Sequence, residues 1–251
     1  MKRVFVVLLF ALTFTTLSYA GSIVVSNDEW LWSDNVIAQG SDSQFATNVA
    51  GWLTGGSGNI LILSNNFGLT GTMLYTQLTG LGYSVTVTTT IPHSLAGYSA
   101  VYVGGYAVPT SLLTSYVTGG GNVFLEAGTG DFGGAAGEAA QWNPFLNNFG
   151  LGLAPVYNGY CSLVGGMSGF QTQAPYGPAL FNGVSSLFIC GGNDVVPFGS
   201  NPNTQLWYLN SDGLYGAWKS SQATPEPSSM LLFGTGAIAA FTCWRQRRRS
   251  R

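Results

Sequence analysis

From residue 22 to residue 149, short apolar runs alternate with longer mixed ones. Ser22–Ser26 is a β-branched run of strand length. Asn59–Leu63 and Ala100–Gly104 are almost continuously apolar, the pattern of strands buried on both faces. Tyr83–Thr88 alternates with period two, and Asn122–Ala127 is a further strand. Helices are predicted between them. One covers Gln44–Leu53, with Ser41 or Asp42 as its cap, and one covers Thr70–Leu81, ending at Gly82. A third over Pro109–Val117 is opened by its proline and closed by Gly119-Gly120-Gly121. A fourth spans Ala135–Phe149, where Pro144 breaks or kinks it. Beyond Gly150 the runs become short and β-like. They include Ser186–Cys190 and a hairpin of Gln205–Leu209 with Leu214–Trp218 around Ser211-Asp212-Gly213. Strands alternating with helices predict an α/β fold: a mostly parallel sheet flanked by helices, flavodoxin-like, with β additions at the C-terminal end.

Neither end fits that pattern. Lys2 and Arg3 precede the apolar run Val4–Leu12, and Ser18-Tyr19-Ala20 places small residues before Gly21. Residues 1–20 therefore read as a signal peptide for the Sec export machinery, cleaved between Ala20 and Gly21. At the other end, Pro225-Glu226-Pro227 leads into an apolar segment from Met230 to Trp244, followed by Arg245-Gln-Arg-Arg-Arg-Ser-Arg251. A helix over about residues 229–244 gives a marginal membrane span, because the fifteen apolar-segment residues Met230–Trp244 at ~1.5 Å each reach ~22 Å against a ~30 Å hydrocarbon core. The arginines hold its end on the cytoplasmic side and leave the bulk of the chain outside.

A Pro-Glu-Pro motif, one glycine-containing apolar helix and an Arg-rich tail at the C-terminus resemble a PEP-CTERM sorting signal. The resemblance implies a bacterial protein cut near Pro225-Glu226-Pro227 by an exosortase, a membrane transpeptidase. It implies transient anchoring followed by release or transfer at the cell surface, often alongside extracellular polysaccharide production. The chain then divides into a signal peptide (1–20), an exported domain (21–223) and a sorting segment (224–251).

Charge narrows the partners of the exported domain. Only 7% of the chain is charged, against roughly 25% in an average domain. Residues 21–223 hold nine acids against one base, Lys219, for a net charge of −8. Such a domain is repelled by nucleic acid and anionic membranes and has no guanidinium to clamp phosphate. Neutral glycans or divalent cations suit it better. Cys161 and Cys190 are predicted to pair in an oxidising compartment, the alternative being two buried thiols. Closing that loop is worth about 3.5 kcal/mol in the chain-entropy model.

Tyr102-Val-Gly-Gly105, a helix, Gly119-Gly-Gly121, a strand and a glycine-rich turn resemble the core of class I glutamine amidotransferase-like domains. The segments Ser186–Cys190 and Asp212–Trp218 resemble the last strands of non-catalytic relatives. The resemblance implies a nucleophilic cysteine on the turn after Asn122–Ala127. Here that turn reads Leu125-Glu126-Ala127-Gly128-Thr129-Gly130-Asp131, without a cysteine or a Gly-x-Ser-x-Gly elbow. The only histidine, His93, follows Pro92 in a loop. Amidotransferase chemistry is therefore not expected. Gly128–Gly133 matches G-x-G-x-x-G but lies outside the first βα unit, with no acid about 20 residues on for a ribose. It reads as a tight turn, and no cofactor is predicted.

Three candidate chemistries remain. Glu126 and Asp131, with Glu138 nearby, are candidate carboxylates for glycoside hydrolysis at the C-terminal end of the sheet. Asp28, Glu29 and Asp34 are candidate cation ligands, weighed against a polar loop covered by aromatics. One histidine and two paired cysteines cannot make a zinc site. Trp30, Trp32, Trp142, Tyr157, Tyr160, Tyr176, Trp207, Tyr208 and Trp218 fall in or beside predicted loops, where aromatic faces suit sugar rings. The expected function is a non-enzymatic exported surface or matrix protein associated with extracellular polysaccharide. The alternative is a secreted hydrolase that uses carboxylates on glycans.

Overall fold

A computed structural model describes residues 21–221. The predicted signal peptide up to Ala20, the motif Pro225-Glu226-Pro227, the helix near 229–244 and the arginine tail lie outside the described residues. Among the described residues no helix is long and apolar enough to cross a membrane.

The apolar runs become strands of one sheet: β1 (Ser22–Ser26), β2 (Asn59–Leu63), β3 (Ser84–Thr88), β4 (Ala100–Val103) and β5 (Asn122–Glu126). β1 to β5 pair in parallel in the order β1-β5-β4-β2-β3. A C-terminal hairpin extends the sheet. β11 (Asp212–Lys219) pairs antiparallel with β1, and β10 (Thr204–Leu209) pairs antiparallel with β11 at the edge. The turn between them uses Asn210 at φ +55°, with Ser211 following, while Gly213 lies inside β11.

Parallel strands need helical crossovers on both faces, and the side chains divide accordingly. Val24, Ile60, Ile62, Tyr102 and Phe124 pack under α1 (Asp42–Thr54) and, separated from it by α2 (Phe67–Thr70), α3 (Thr72–Gly80). Ile23, Val25, Leu61, Leu63, Val101, Val103, Val123 and Leu125 pack under α4 (Thr110–Thr118) and α5 (Ala135–Leu146). Each fully buried Leu, Ile or Val contributes roughly 1.5–3 kcal/mol. The chain leaves β2 toward β3 and later returns to β4 on its other side, so the topological switch point lies between the ends of β2 and β4.

Two helices differ from expectation. The run expected over Thr70–Leu81 is broken at Gly71, which is extended (φ −62°, ψ 145°). The Asp34 carboxylate accepts hydrogen bonds from the amides of Thr72 and Met73 at 3.0 and 2.8 Å, so α3 starts on a cap borrowed from a distant loop. A Cβ on Gly71 would stand 2.6 Å from Asp34 Oδ1, so a larger residue there requires that carboxylate to shift. α5 contains Pro144 in its last turn and passes into a 3₁₀ turn at Asn147–Phe149. At α1, Ser41 stands at the N-cap without a side-chain cap bond, and the Asp42 carboxylate accepts from the Phe188 amide at 2.9 Å.

The rest of the C-terminal half forms two small ladders. β6 (Leu151–Tyr157) pairs with β9 (Asn193–Pro197), and β7 (Cys161–Gly165) pairs with β8 (Ser186–Cys190). A four-residue helix, α6 (Gly177–Leu180), lies between β7 and β8. Cys161 and Cys190 oppose each other in the β7–β8 register and form a disulfide.

Candidate functional site

Parallel strands deliver their C-terminal ends to one edge, and that edge gathers most of the domain's acids. Asp28 and Glu29 follow β1, Ser64 and Asn66 follow β2, Gly104 and Gly105 follow β4, and Glu126 ends β5 with Asp131 and Glu138 beyond it. Ser64 Oγ donates to the Gly104 carbonyl at 2.6 Å and accepts from the Asn66 amide at 2.9 Å, closing the crevice between β2 and β4. Asn66 is then fixed by accepting from the Gly68 amide at 2.8 Å, which caps α2.

This leaves the Asn66 amino group free to donate. Nδ2 donates to Glu29 Oε2 at 2.5 Å and to Asp131 Oδ2 at 3.1 Å. One nitrogen with two hydrogens thus spans two carboxylates from different segments. Gly105 permits the approach: at φ +63° it is left-handed, and a Cβ there would collide with the Asp131 carboxylate and stand 2.6 Å from the Asn66 Cβ.

The surroundings raise the acids' proton affinity. Burial pushes Glu29 up to about 7 against the pull of its Asn66 bond, and the charge on Asp131 adds to the rise. Asp28 is likewise pushed up to about 7 by burial, although the backbone amides of Trp30, Cys190 and Leu31 oppose it. Its Oδ1 accepts from the Trp30 amide at 2.8 Å. Glu138 is pushed up to about 7 by burial, with Thr129 Oγ1 donating to it at 2.9 Å. Glu126 goes furthest. It is 0% exposed, and burial, then the charges of Asp28, Glu29 and Glu138, hold its carboxyl well above the usual range. Neither of its oxygens has a hydrogen-bond partner.

Aromatic side chains rim the edge. Trp30 packs edge-to-face on Phe67 with ring centroids 5.0 Å apart, and Phe67 is 40% exposed. Tyr157, 39% exposed, brings its hydroxyl to 4.0 Å from where a Cβ on Gly130 would stand. Burial and the charges of Glu138, Glu29 and Asp131 raise its phenol. Most other aromatics expected beside loops are structural. Trp32, Trp142 and Trp207 are fully buried, with Trp32 stacked on Phe124 at 4.1 Å. Trp218 packs on Phe149, and Tyr176 packs on Trp52.

The sequence candidates therefore separate. Glu126 and Asp131 share the edge, but Glu126 is sealed inside while Asp131 is exposed. Asp28 and Glu29 belong to the edge, whereas Asp34 is engaged as the cap of α3. No group of His, Cys, Asp or Glu among the described residues is arranged to hold a metal ion. His93 is an exposed loop residue. The Gly128–Gly133 turn presents Thr129 and the Gly130 amide to Glu138, so the protein's own carboxylate occupies the donors a phosphate would need. Sequence reasoning did not find Asn66, Phe67 or Gly105. The available signal was an asparagine two residues before a glycine at the end of a buried strand.

Residues 223–249 match the family model of the PEP-CTERM protein-sorting motif. No curated protein and no solved structure matches the chain, so the amidotransferase-like resemblance gains no support from a relative. The motif supports an exported, transiently membrane-anchored protein sorted by an exosortase.

Proposed function

We propose that, after processing, this protein resides at the cell surface or in the extracellular matrix, where its domain associates with extracellular polysaccharide without enzymatic activity. The observation that carries the reading is the Glu29–Asn66–Asp131 bridge, whose chain neighbours Trp30 and Phe67 pack on each other. Carboxylates and an amide accept and donate to sugar hydroxyls, and aromatic faces stack on sugar rings. Lack of activity is supported by the turn after β5, which carries no cysteine and no Gly-x-Ser-x-Gly elbow, and by the burial of Glu126, which keeps its carboxyl from a substrate. The domain is read as amidotransferase-like in architecture only.

One observation favours a second reading. Glu29 and Asp131 accept from the same nitrogen, so they stand about as close as the ~5–5.5 Å pair of a retaining glycosidase. Glu29, pushed up to about 7, suits the acid's part. In that case the pair is Glu29 with Asp131 instead of Glu126 with Asp131.

Co-sedimentation of the protein with the producing cells' own extracellular polysaccharide tests both, with soluble sugar followed in the same tube. Binding without release is expected. Release that disappears in Glu29→Gln and Asp131→Asn would replace the first reading with the second. The absence of both binding and release overturns both.

A further inference from the structure

The seven-stranded sheet ends on β10 at one side and on β3 at the other, and the two outer strands are treated differently. β10 is interrupted by a bulge between Trp207 and Tyr208. Its Gln205 side chain accepts from the Tyr176 amide at 2.9 Å and donates to the Gln173 carbonyl at 2.8 Å, which ties the segment 173–176 to that strand. The β7–β8 ladder is guarded as well, because the Phe188 amide of β8 donates to the buried Asp42 carboxylate. Bulges, covering segments and charges are the usual means of keeping a strand from pairing with another chain.

β3 has none of them. Ser84-Val-Thr-Val-Thr88 contains no charge, proline or glycine, and its pairing with β2 runs without a bulge. Among the described residues no strand lies on its other side. The Ser84 amide donates to the Gly58 carbonyl at 3.0 Å, so strand alternation turns the backbone groups of Ser84, Thr86 and Thr88 toward β2. Those of Val85 and Val87 point outward. Thr86 pairs with Leu61 across the ladder, yet its side chain is exposed where that of Leu61 is buried.

Charge says what can meet this strand. Residues 43–125 contain no Asp, Glu, Lys or Arg, so every acid of the exported domain lies outside them. β2, β3, β4, α3 and α4 all belong to this neutral block, in which Tyr75, Leu81 and Val87 are 45%, 44% and 41% exposed. Two copies of a domain with net charge −8 repel each other least where such uncharged surfaces meet. A second copy also brings the same strand with the same unused backbone groups, and a two-fold axis satisfies both sets at once.

We propose that the protein self-associates through β3, two copies pairing antiparallel about a two-fold axis centred on Thr86. In that register Val85 of one copy exchanges backbone hydrogen bonds with Val87 of the other, and the two Thr86 side chains stand opposite each other. The two seven-stranded sheets become one continuous sheet. This pairing goes beyond the polysaccharide reading and does not depend on it.

Sedimentation velocity of the protein isolated from its producing cells, over a range of concentrations, should show a monomer–dimer equilibrium. Val87→Pro removes an outward amide that the ladder with β2 does not use, and should weaken dimerisation at least tenfold with the far-ultraviolet CD spectrum unchanged. Val87→Thr keeps that amide and should dimerise within twofold of wild type. Thr86→Cys tests the register. Facing residues of a non-hydrogen-bonded antiparallel pair have Cα atoms ~4.5 Å apart, within disulfide reach, so oxidised glutathione should link two copies. Ser84→Cys faces Thr88 of the other copy and should stay unlinked. A protein that is monomeric at every concentration overturns the proposal. So does a Val87→Pro variant that dimerises like wild type, or equal cross-linking of Ser84→Cys and Thr86→Cys. If Val87→Pro loses its CD spectrum, the cysteine pair decides alone.

Discussion

Glu29 and Asp131 lie far apart in the chain, yet accept hydrogen bonds from the same nitrogen, Asn66 Nδ2. Two carboxylates on one donor are stable only while that donor stays. Asn66→Ala should cost about 1–3 kcal/mol, the usual penalty for leaving a polar group unserved. Asn66→Asp should cost more at neutral pH, because it adds a third negative group. Urea unfolding of both variants measures this, and an Asn66→Asp variant as stable as wild type would refute the bridging role.

Stability should fall as pH rises. Asp28, Glu29 and Glu138 are pushed up to about 7 and Asp42 to about 8 in the folded protein, mainly by burial. Unfolded, they titrate near 4. Between these values the native state binds more protons than the unfolded one, so the stabilisation is complete below about pH 4 and is lost through about pH 7–8. Fully buried Asp28 alone should contribute about 2–4 kcal/mol, at 1.4 kcal/mol per tenfold change in proton affinity. The expected result is a lower urea midpoint at pH 8 than at pH 5. The opposite order would mean these carboxylates have cationic partners.

Glu126 is buried and unpartnered, so its carboxyl group destabilises the fold. Glu126→Met keeps the chain length and removes the polar atoms, and should raise stability by about 1–3 kcal/mol. Chemical denaturation at pH 7 measures it. A loss of that size would show that the carboxyl group has an energetic partner in the folded protein.

The disulfide between Cys161 and Cys190 closes a loop of sequence separation 29. Reduction, or the double change Cys161→Ser with Cys190→Ser, should lower stability by about 2–4 kcal/mol. Thermal melts with and without reductant give the difference, and coincident melts would contradict it.

The mature protein should end near residues 224–227, at the start of the matched motif. Intact mass from the producing cells checks this. A chain ending at Arg251 would rule out processing.

The elements were legible wherever a local pattern decides. Asn59–Leu63 and Ala100–Val103 are apolar at every inward position because each face meets helices, and that requirement is written in consecutive residues. The PEP-CTERM segment was legible for the same reason, since its three parts adjoin one another. The break at Gly71 was not legible, because the carboxylate that caps α3 belongs to Asp34, outside any local window.

By itself the sequence determined the sorting motif, the α/β class, the acidity of residues 21–223 and the absence of a cysteine in the turn after β5. Tertiary structure alone decided which acids meet. Glu126 and Asp131 are near in sequence, but strand alternation and the Gly68 turn bury one and expose the other. Glu29 joins Asp131 because the order β1-β5-β4-β2 brings the ends of distant strands to one edge. Hydrophobic periodicity specifies which face a strand buries, whereas strand order depends on how helices cross over the sheet, a non-local choice that no short pattern encodes.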